Sequence, residues 1–330
     1  MTSNEERPGS GRRFQRALVT GGSGFLGSHV CDALVAAGTA VVCLDNHCTG
    51  DPANVAHLMG HPLFSLVTAD VSEGAEVAGR VDLVLHLASP ASPSDYARLP
   101  LETLAAGGPG TAAALRVARR DGARFVLAST SEVYGDPLEH PQREDYWGNV
   151  NPVGPRAMYD EAKRYAEALT TTYGRVHGLS TGIVRIFNTY GPRLRADDGR
   201  AVPNFIRQAV ADLPLTVYGS GDQTRSLCYV DDTVAGLLAL AGSDHPGPVN
   251  IGSQEEVTVR DLALLIRDLT GSRSVLDFRP APPDDPRQRR PDIGRARRLL
   301  GWSPRVPLRE GLLRTIAATA ERPSLSRAEP

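Results

Sequence analysis

A tyrosine and a lysine four residues apart give the first chemical signal in this sequence. Tyr159 and Lys163 lie within MYDEAKR at 158–164, and this spacing places both side chains on one face of a helix. A tyrosine in water has a pKa of about 10 and is a poor base at neutral pH, but a neighbouring ammonium group favours its phenolate. Lys163 is the only lysine among the 36 Lys and Arg residues. The pattern predicts a tyrosine base assisted by a compact cation, a role that suits lysine better than arginine.

A cluster of small polar and acidic residues could act with this pair. Thr130, Ser131 and Glu132 stand at the end of the apolar run ARFVLASTS. The carboxyl ends of parallel strands are where open α/β sheets bind their ligands. An isolated tyrosine–lysine pair is usually part of a solvated helix surface, but together with this cluster it indicates a catalytic site.

A glycine-rich segment near the N-terminus predicts a nucleotide-binding loop. The apolar run 16–20 leads into GGSGFLG at 21–27, and a helical pattern follows at 28–38. Glycines at this spacing let backbone N–H groups approach a pyrophosphate at the helix N-terminus. Asp45 ends the next apolar run, about 20 residues on, where a ribose diol would be bound. Because a carboxylate would repel a 2′-phosphate, the sequence predicts NAD rather than NADP.

The elements that must position these residues follow from alternating apolar runs and helical patterns. Near-continuous Val/Leu runs separated by helices indicate strands of a parallel sheet that is buried on both faces. Five such units in order predict a doubly wound α/β domain with a Rossmann sheet. After residue 187, loops rich in Gly, Pro and Arg alternate with helices, which predicts a smaller C-terminal α/β lobe that binds the substrate. The five predicted strands lie within 16–21, 40–46, 63–71, 81–89 and 123–131.

His86, inside the fourth run, is predicted to be a packed core histidine rather than a catalyst.

The same pattern of apolar runs and helices gives the expected domain boundaries. The predicted segments are an NAD-binding domain at 14–187 with a return segment at about 226–250, a second lobe at 188–225 and 251–318, and disordered tails at 1–13 and 321–330.

Charge and composition argue against several classes of function. The chain of 330 residues has a formal net charge of −2, which provides no field for steering onto nucleic acid or an anionic membrane. Its four cysteines form no CxxC pair and no Cys/His cluster has zinc spacing, so we expect no metal. There is no apolar signal segment at the N-terminus and no apolar run long enough to span a membrane. These features predict a cytoplasmic protein with reduced thiols.

Longer strings make the assignment more specific. The sequence resembles the extended short-chain dehydrogenase/reductase family and, within it, the UDP-glucuronate decarboxylases, also called UDP-xylose synthases. The resemblance covers roughly 15–315. The strings that carry it are HLASPASP (86–93), LASTSEVYGDP (127–137), HPQREDYWGNVNP (140–152), GPRAMYDEAKR (154–164), RIFNTYGPR (185–193) and PDDPRQRRPDI (283–293).

This resemblance implies a reaction on UDP-glucuronate with NAD as a tightly held cofactor. Tyr159 would take the proton of the sugar C4 hydroxyl while hydride passes to NAD+, and Thr130 would hydrogen-bond the same oxygen. The resulting 4-keto acid would lose CO2, with Arg289 holding the carboxylate and Glu132 orienting water or protonating C5. Return of the hydride would then give UDP-xylose.

The resemblance also completes the predicted binding sets and implies a homodimer through helices at 101–120 and 155–176. Arg225 and Arg289 have a plainer alternative as surface charges. The predicted NAD contacts are Gly21, Gly24, Phe25, Leu26, Asp45, Asn46, Thr49, Gly50, Asp70, Val71, Leu87, Ser89, Thr130, Tyr159, Lys163 and Thr189. The predicted contacts to the UDP-sugar are Pro90, Ser131, Asn188, Arg200, Tyr218, Arg225 and Arg289.

Two segments depart from the family pattern. The family usually carries Lys-Thr-Asn where this chain has Ala105-Ala106-Gly107, and the following Gly108-Pro109 should shift or loosen the helix. The loop after Asn46 carries His47-Cys48 where aromatic residues are common. We therefore expect that part of the product leaves as the UDP-4-keto-pentose, with NADH still bound.

Other activities on the same scaffold remain alternatives. A 4,6-dehydratase would be expected to show an Asp-Glu pair after the strand-end threonine, where this chain has Ser131-Glu132. A 4-epimerase needs no carboxylate-binding arginine, so Arg289 together with Glu132 counts against it. A non-catalytic NAD-binding sensor would be expected to have lost part of the Tyr159, Lys163 and Thr130 set, which is intact.

Overall fold

The fold is taken from a computed structural model, which describes residues 12–280 and 288–320. The strands are β1 Arg16–Thr20, β2 Ala40–Asp45, β3 Phe64–Thr68, β4 Leu83–His86, β5 Arg124–Thr130, β6 Thr181–Ile186, β7 Thr189–Tyr190, β8 Leu215–Tyr218, β9 Thr224–Ser226, β10 Cys228–Tyr229, β11 Val249–Ile251, β12 Glu256–Thr258, β13 Leu276–Arg279 and β14 Gln288–Arg289. The α-helices are α1 Phe25–Ala36, α2 Pro93–Arg98, α3 Pro100–Ala105, α4 Thr111–Asp121, α5 Ala157–His177, α6 Ala201–Val210, α7 Val230–Ala241, α8 Val259–Thr270, α9 Gly294–Leu300 and α10 Leu308–Ala320.

The main sheet is parallel and doubly wound, as predicted. Seven strands pair in the order β11-β6-β5-β4-β1-β2-β3, so the chain reverses direction across the sheet between β1 and β4. Successive side chains of a strand point to opposite faces. Ala17 and Val19 accordingly join one apolar cluster, while Leu18 joins the cluster on the other face. Both faces are covered by helices, which explains why the strands read as continuous apolar runs.

The later segments add small sheets beside the carboxyl edge of the main sheet. Strand β9 pairs antiparallel with β12 and parallel with β14, while β8 pairs parallel with β13. Helices α6 and α8 pack together next to β8. Strand β14 carries Arg289, so these later segments place the Arg289 guanidinium group next to the end of β5 in the main sheet.

The chain between α3 and α4 stays helical through Gly108-Pro109. Residues Ala106–Gly110 form a π-turn, which confirms the predicted loosening, although the helix does not break. A β-carbon on Gly107 would lie 2.6 Å from the Ala162 Cβ, so glycine permits close packing of this turn against α5. The segment that replaces the family's Lys-Thr-Asn therefore packs closely against α5.

Two further expectations concern the ends of the chain and its membrane contacts. The predicted tails lie outside the described residues except for Arg12 and Arg13, and the Arg12 N–H donates to the Gly242 carbonyl at 3.1 Å. Across residues 12–280 and 288–320, no helix combines the length and the apolar character needed to cross a membrane.

Candidate active site

The glycine loop between β1 and α1 forms a cradle that only glycine allows. Gly21 has a φ of +71°, a conformation that favours glycine. A β-carbon on Gly27 would lie 2.0 Å from the Gly21 carbonyl oxygen, so α1 packs directly against the loop. Gly21 and Gly24 line the cleft at the helix N-terminus. This bare backbone fits the pyrophosphate of a dinucleotide.

The end of β2 is organised around Asp45. Its carboxylate is buried and accepts hydrogen bonds from the backbone N–H groups of Ser23 at 3.0 Å and His47 at 2.8 Å. His47 has a φ of 60° and its ring reaches the hydroxyls of Ser23 at 3.0 Å and Thr68 at 3.1 Å. The histidine that departs from the family pattern therefore ties the cofactor loop to the glycine loop and to β3.

We expect Gly27→Ala to weaken NAD binding by about 10- to 100-fold, because the added methyl group must push α1 away from the loop. Calorimetric titration of the cofactor-free protein with NAD measures the loss. Gly38→Ala is the control, because no atom lies within 4 Å of an added β-carbon there, although the φ of +81° at Gly38 adds backbone strain that Gly27 does not have. Equal affinities of the two variants would contradict the packing argument.

The predicted catalytic pair meets at the carboxyl edge of β5. Lys163 is 5% exposed, its Nζ donates to the Ala128 carbonyl at 2.9 Å, and it lies 5.8 Å from the centroid of the Tyr159 ring. Burial lowers the pKa of Lys163 to about 8. Burial also raises the pKa of Tyr159 to about 12, and a hydrogen bond with Thr130 offsets only part of this increase. The protein alone therefore keeps Tyr159 a neutral phenol, and we expect the positive charge of NAD+ to provide the remaining stabilisation of the phenolate.

A buried carboxylate lies beside this pair between two guanidinium groups. Glu132 Oε2 accepts from Arg156 at 2.5 Å and from Arg289 at 3.0 Å. Burial alone would raise the pKa of Glu132, but the charges of Arg289 and Arg156 outweigh it and lower the pKa. Arg289 is 1% exposed and also donates to the Ser131 carbonyl at 2.6 Å. The alternative that Arg289 is a surface charge is therefore wrong.

The sequence reasoning missed three residues around this cluster. Tyr96, on α2, stacks on the ring of Tyr159 with centroids 5.1 Å apart and an angle of 12° between the planes. The Arg156 guanidinium lies 5.9 Å from the centroid of the Tyr96 ring. Asp160 follows Tyr159 and is buried. The motifs quoted above contain Arg156 and Asp160, but only the packing of α2 and α5 identifies their partners.

Asp160 predicts a pH-dependent stability. Burial and the charge of nearby Glu132 raise its pKa to about 7, and its Oδ1 has no hydrogen-bond partner within the described residues. An aspartate in the unfolded chain has a pKa of about 4. Between about pH 4 and 7 the folded chain retains a proton that the unfolded chain has lost, so this group makes stability fall as pH rises through that window.

We therefore expect Asp160→Asn to stabilise the protein by about 1–3 kcal/mol at about pH 8 and by much less at about pH 5. Urea unfolding at both pH values measures the difference in unfolding free energy. A stability change that is the same at both pH values would show that titration of Asp160 is not its cause.

All of the predicted catalytic, NAD-binding and sugar-binding residues line one cleft of about 640 Å³. Arg200 is paired with Asp198 at 2.5 Å, and Tyr218 stands at the cleft with 43% of its surface exposed. His86 is a core residue as predicted: its ring contacts the hydroxyls of Thr20 and Thr111, and burial lowers its pKa to about 3. Within the described residues, no group of His, Cys, Asp or Glu could hold a metal ion.

Comparison with known proteins agrees with this geometry. The NAD dependent epimerase/dehydratase family matches residues 17–252. UDP-glucuronic acid decarboxylase 1 of Danio rerio is 52% identical over 302 residues, which cover 92% of this chain and 72% of that relative. UDP-glucuronic acid decarboxylase 6 of Arabidopsis thaliana is 51% identical over 298 residues, covering 90% and 86%.

Solved structures show the same fold. The UDP-glucose 4-epimerase of Thermotoga maritima superposes with a TM-score of 0.85 at 28% identity, covering 93% of this chain and 99% of that chain. The UDP-glucuronic acid 4-epimerase of Bacillus cereus, in complex with UDP-glucuronic acid and NAD, has a TM-score of 0.82 at 28% identity with the same coverage. Because the family match extends from residue 17 to residue 252 and the relatives align along most of the sequence, this chain belongs to the NAD-dependent epimerase/dehydratase family of extended short-chain dehydrogenases/reductases.

Proposed function

We propose that this protein is a UDP-glucuronate decarboxylase that converts UDP-glucuronate to UDP-xylose and CO2 with NAD recycled in place. The observation that carries the proposal is the buried Glu132 carboxylate between Arg156 and Arg289, next to Tyr159. Inversion at C4 by itself requires no group that acts at C5, which is the role this cluster would supply. The decarboxylases that are 52% and 51% identical to this chain over the aligned residues support the same substrate.

The first step takes place at the sugar C4 hydroxyl. Gly21, Gly24 and Asp45 would hold NAD, which supplies an acceptor for the C4 hydride and later returns it. Tyr159 accepts the hydroxyl proton, and Thr130 hydrogen-bonds the same oxygen. Lys163 stabilises the phenolate as a compact cation.

The second step breaks the bond between C5 and the carboxylate. Once C4 is a ketone, the bonding electrons can move into the carbonyl as CO2 leaves. Arg289 can receive the carboxylate in exchange for Glu132, because Glu132 keeps its contact with Arg156. Glu132, which the two arginines keep ionised, then orients the water that supplies the proton to C5.

The nucleotide half of the substrate would be bound by the C-terminal lobe. Asn188, Arg200, Tyr218 and Arg225 line the same cleft. Two guanidinium groups suit a diphosphate, whose charge requires cations. This arrangement supports the predicted division into a cofactor domain and a nucleotide-sugar lobe.

A second outcome is release of part of the product as the UDP-4-keto-pentose. The π-turn at Ala106–Gly110 favours it, because Ala106 lines the cleft while Gly107 packs against α5 without a side chain. An ordinary α-helical turn with longer side chains would close this part of the cleft more completely.

Incubation of the protein with UDP-glucuronate, followed by NMR analysis of the products and measurement of CO2, tests the proposal. UDP-xylose with equimolar CO2 is the expected result, and a 4-keto-pentose signal would report the second outcome. A 4-epimer of the substrate without CO2 would identify an epimerase, and a 4-keto-6-deoxy sugar formed from a UDP-hexose would identify a 4,6-dehydratase. No turnover with NAD bound would favour a sensor.

We also infer a homodimer and a cytoplasmic location. Leu101 and Leu104 on α3 and Tyr165 on α5 are exposed apolar side chains on the predicted four-helix interface, which supports self-association. All four cysteines are free thiols, and Cys48 is exposed, which suits a reducing compartment. Light scattering coupled to gel filtration measures the oligomeric state.

A further inference from the structure

The segment 191–200 runs along the rim of the active-site cleft. Residues 193–195 and 198–200 line the same cleft as the glycine loop and Thr49. The segment follows β7, which pairs with β10 in a small two-stranded sheet, and leads into α6. We call residues 191–200 the strap, because they connect the nucleotide-sugar lobe to the cofactor side of the cleft.

One side chain of the strap contacts both walls of this cleft. Arg195 donates from Nη2 to both carboxylate oxygens of Asp95 on α2, at 2.9 and 2.8 Å. Its Nη1 donates to the carbonyl of Thr49, in the cofactor loop after β2, at 3.4 Å. Arg195 therefore joins the strap to α2 and to the cofactor loop. The Ser94 hydroxyl on α2, which donates to the Asp198 carbonyl at 2.8 Å, is a second link between the strap and α2.

Asp95, the partner of Arg195, is a buried carboxylate that accepts several hydrogen bonds. It is 6% exposed, and its carboxylate also accepts a hydrogen bond from the Ser92 hydroxyl at 2.8 Å. Burial alone would raise the pKa of Asp95, but the hydrogen bonds from Arg195 and Ser92 lower it overall. The carboxylate therefore stays charged at neutral pH, and the ion pair is largely shielded from salt.

The base of the strap is fixed independently of Arg195. The Arg193 guanidinium lies 2.7 Å from the Asp32 carboxylate on α1, and the His29 ring contacts the Pro192 carbonyl at 3.0 Å. Loss of the Arg195 contacts would therefore release the strap from the Thr49 loop, while its start stays attached to α1 and Asp198 stays bonded to Ser94.

We propose that Arg195 and Asp95 latch the strap across the cleft and so retain NAD(H) between the two hydride transfers. This inference rests on the proposed function, in which the same cofactor molecule accepts a hydride and returns it. Cofactor release requires the strap and the Thr49 loop to separate, so contacts that join them slow dissociation more than association. Arg195 acts here as a positioning residue, since it contacts the segments around the cofactor.

The rate of NADH release tests the latch without any sugar substrate. NADH fluorescence is followed after mixing the NADH-loaded protein with excess NAD. We expect Arg195→Ala and Asp95→Asn each to release NADH about tenfold or more faster than the parent protein. Arg98→Ala is the matched control, because Arg98 also contacts the Asp95 carboxylate, at 3.3 Å, but its side chain is 59% exposed and it lies outside the strap.

A conservative variant separates latching from a general structural role. Arg195→Lys keeps a cation within reach of Asp95, so we expect it to recover part of the slow release, whereas a fold defect would lower the melting temperature of all strap variants alike. Unchanged NADH release in Arg195→Ala, or equally fast release in Arg98→Ala, would overturn the proposal. Failure of the decarboxylase assignment would appear instead in the CO2 measurement, which this experiment does not use.

Discussion

Lys163→Arg is expected to slow C4 oxidation by about 10²–10⁴-fold while the protein remains folded. Lys163 is buried at the wall of the cleft, where its ammonium donates to the Ala128 carbonyl. A guanidinium group is planar and broader, so it cannot place a compact point charge at the same position beside the Tyr159 ring. Arginine also stays charged at any accessible pH, whereas burial lowers the pKa of Lys163 to about 8.

Single-turnover formation of NADH after mixing with UDP-glucuronate measures the oxidation step, and circular dichroism reports the fold. Arg164→Lys is the matched control, because it makes the reverse exchange at the next residue, where the side chain is 39% exposed and bonds backbone carbonyls. Oxidation by Lys163→Arg at near-parental rates would refute the role assigned to the single lysine.

Glu132→Gln is expected to reduce CO2 release by about 10²–10³-fold and to affect C4 oxidation less. Glutamine has nearly the same shape, but it lacks the negative charge that orients the protonating water and neutralises Arg156 and Arg289. Since the C4 hydroxyl is handled by Tyr159 and Thr130, NADH should still form. The ratio of NADH formed to CO2 released should therefore rise, and a rapid-quench experiment measures both.

The same substitution should lower the unfolding free energy by up to about 3–5 kcal/mol, since it leaves buried guanidinium groups without their carboxylate. Urea unfolding measures this loss. Glu161→Gln on α5 is the control, because it makes the same exchange at a carboxylate that is 37% exposed and pairs with Arg164 at 3.6 Å. If Glu132→Gln lost stability but kept the parental ratio of NADH to CO2, its role would be structural.

The sequence predicted the cofactor half of the molecule well, because the signals there are local. A glycine loop needs only the seven residues GGSGFLG between a strand and a helix, and Asp45 follows at the end of the next strand. The tyrosine–lysine pair is likewise fixed by helical spacing. The structure places all these residues in one cleft, because parallel strands end at the same edge of the sheet.

The protonation states could not be predicted, because they depend on burial. The sequence suggested that the Lys163 ammonium lowers the pKa of Tyr159, whereas desolvation of the phenol raises it to about 12. Asp160 looked like an ordinary helix residue beside Tyr159, yet burial next to Glu132 raises its pKa to about 7. Desolvation is a property of the packed chain and has no counterpart in residue spacing.

The sequence by itself determined the fold class, the NAD loop and the tyrosine–lysine pair, since each depends on a periodicity or a spacing within one or two neighbouring elements. Only the tertiary structure decided which distant charges meet. Arg289 reaches Glu132 across 157 positions of sequence, and Arg195 reaches Asp95 across 100. Such pairs form where separately folded segments converge on the carboxyl edge of the sheet, and any of the chain's many arginines could have supplied the same charge. The packing of β14 and of the strap selects the two arginines that do so.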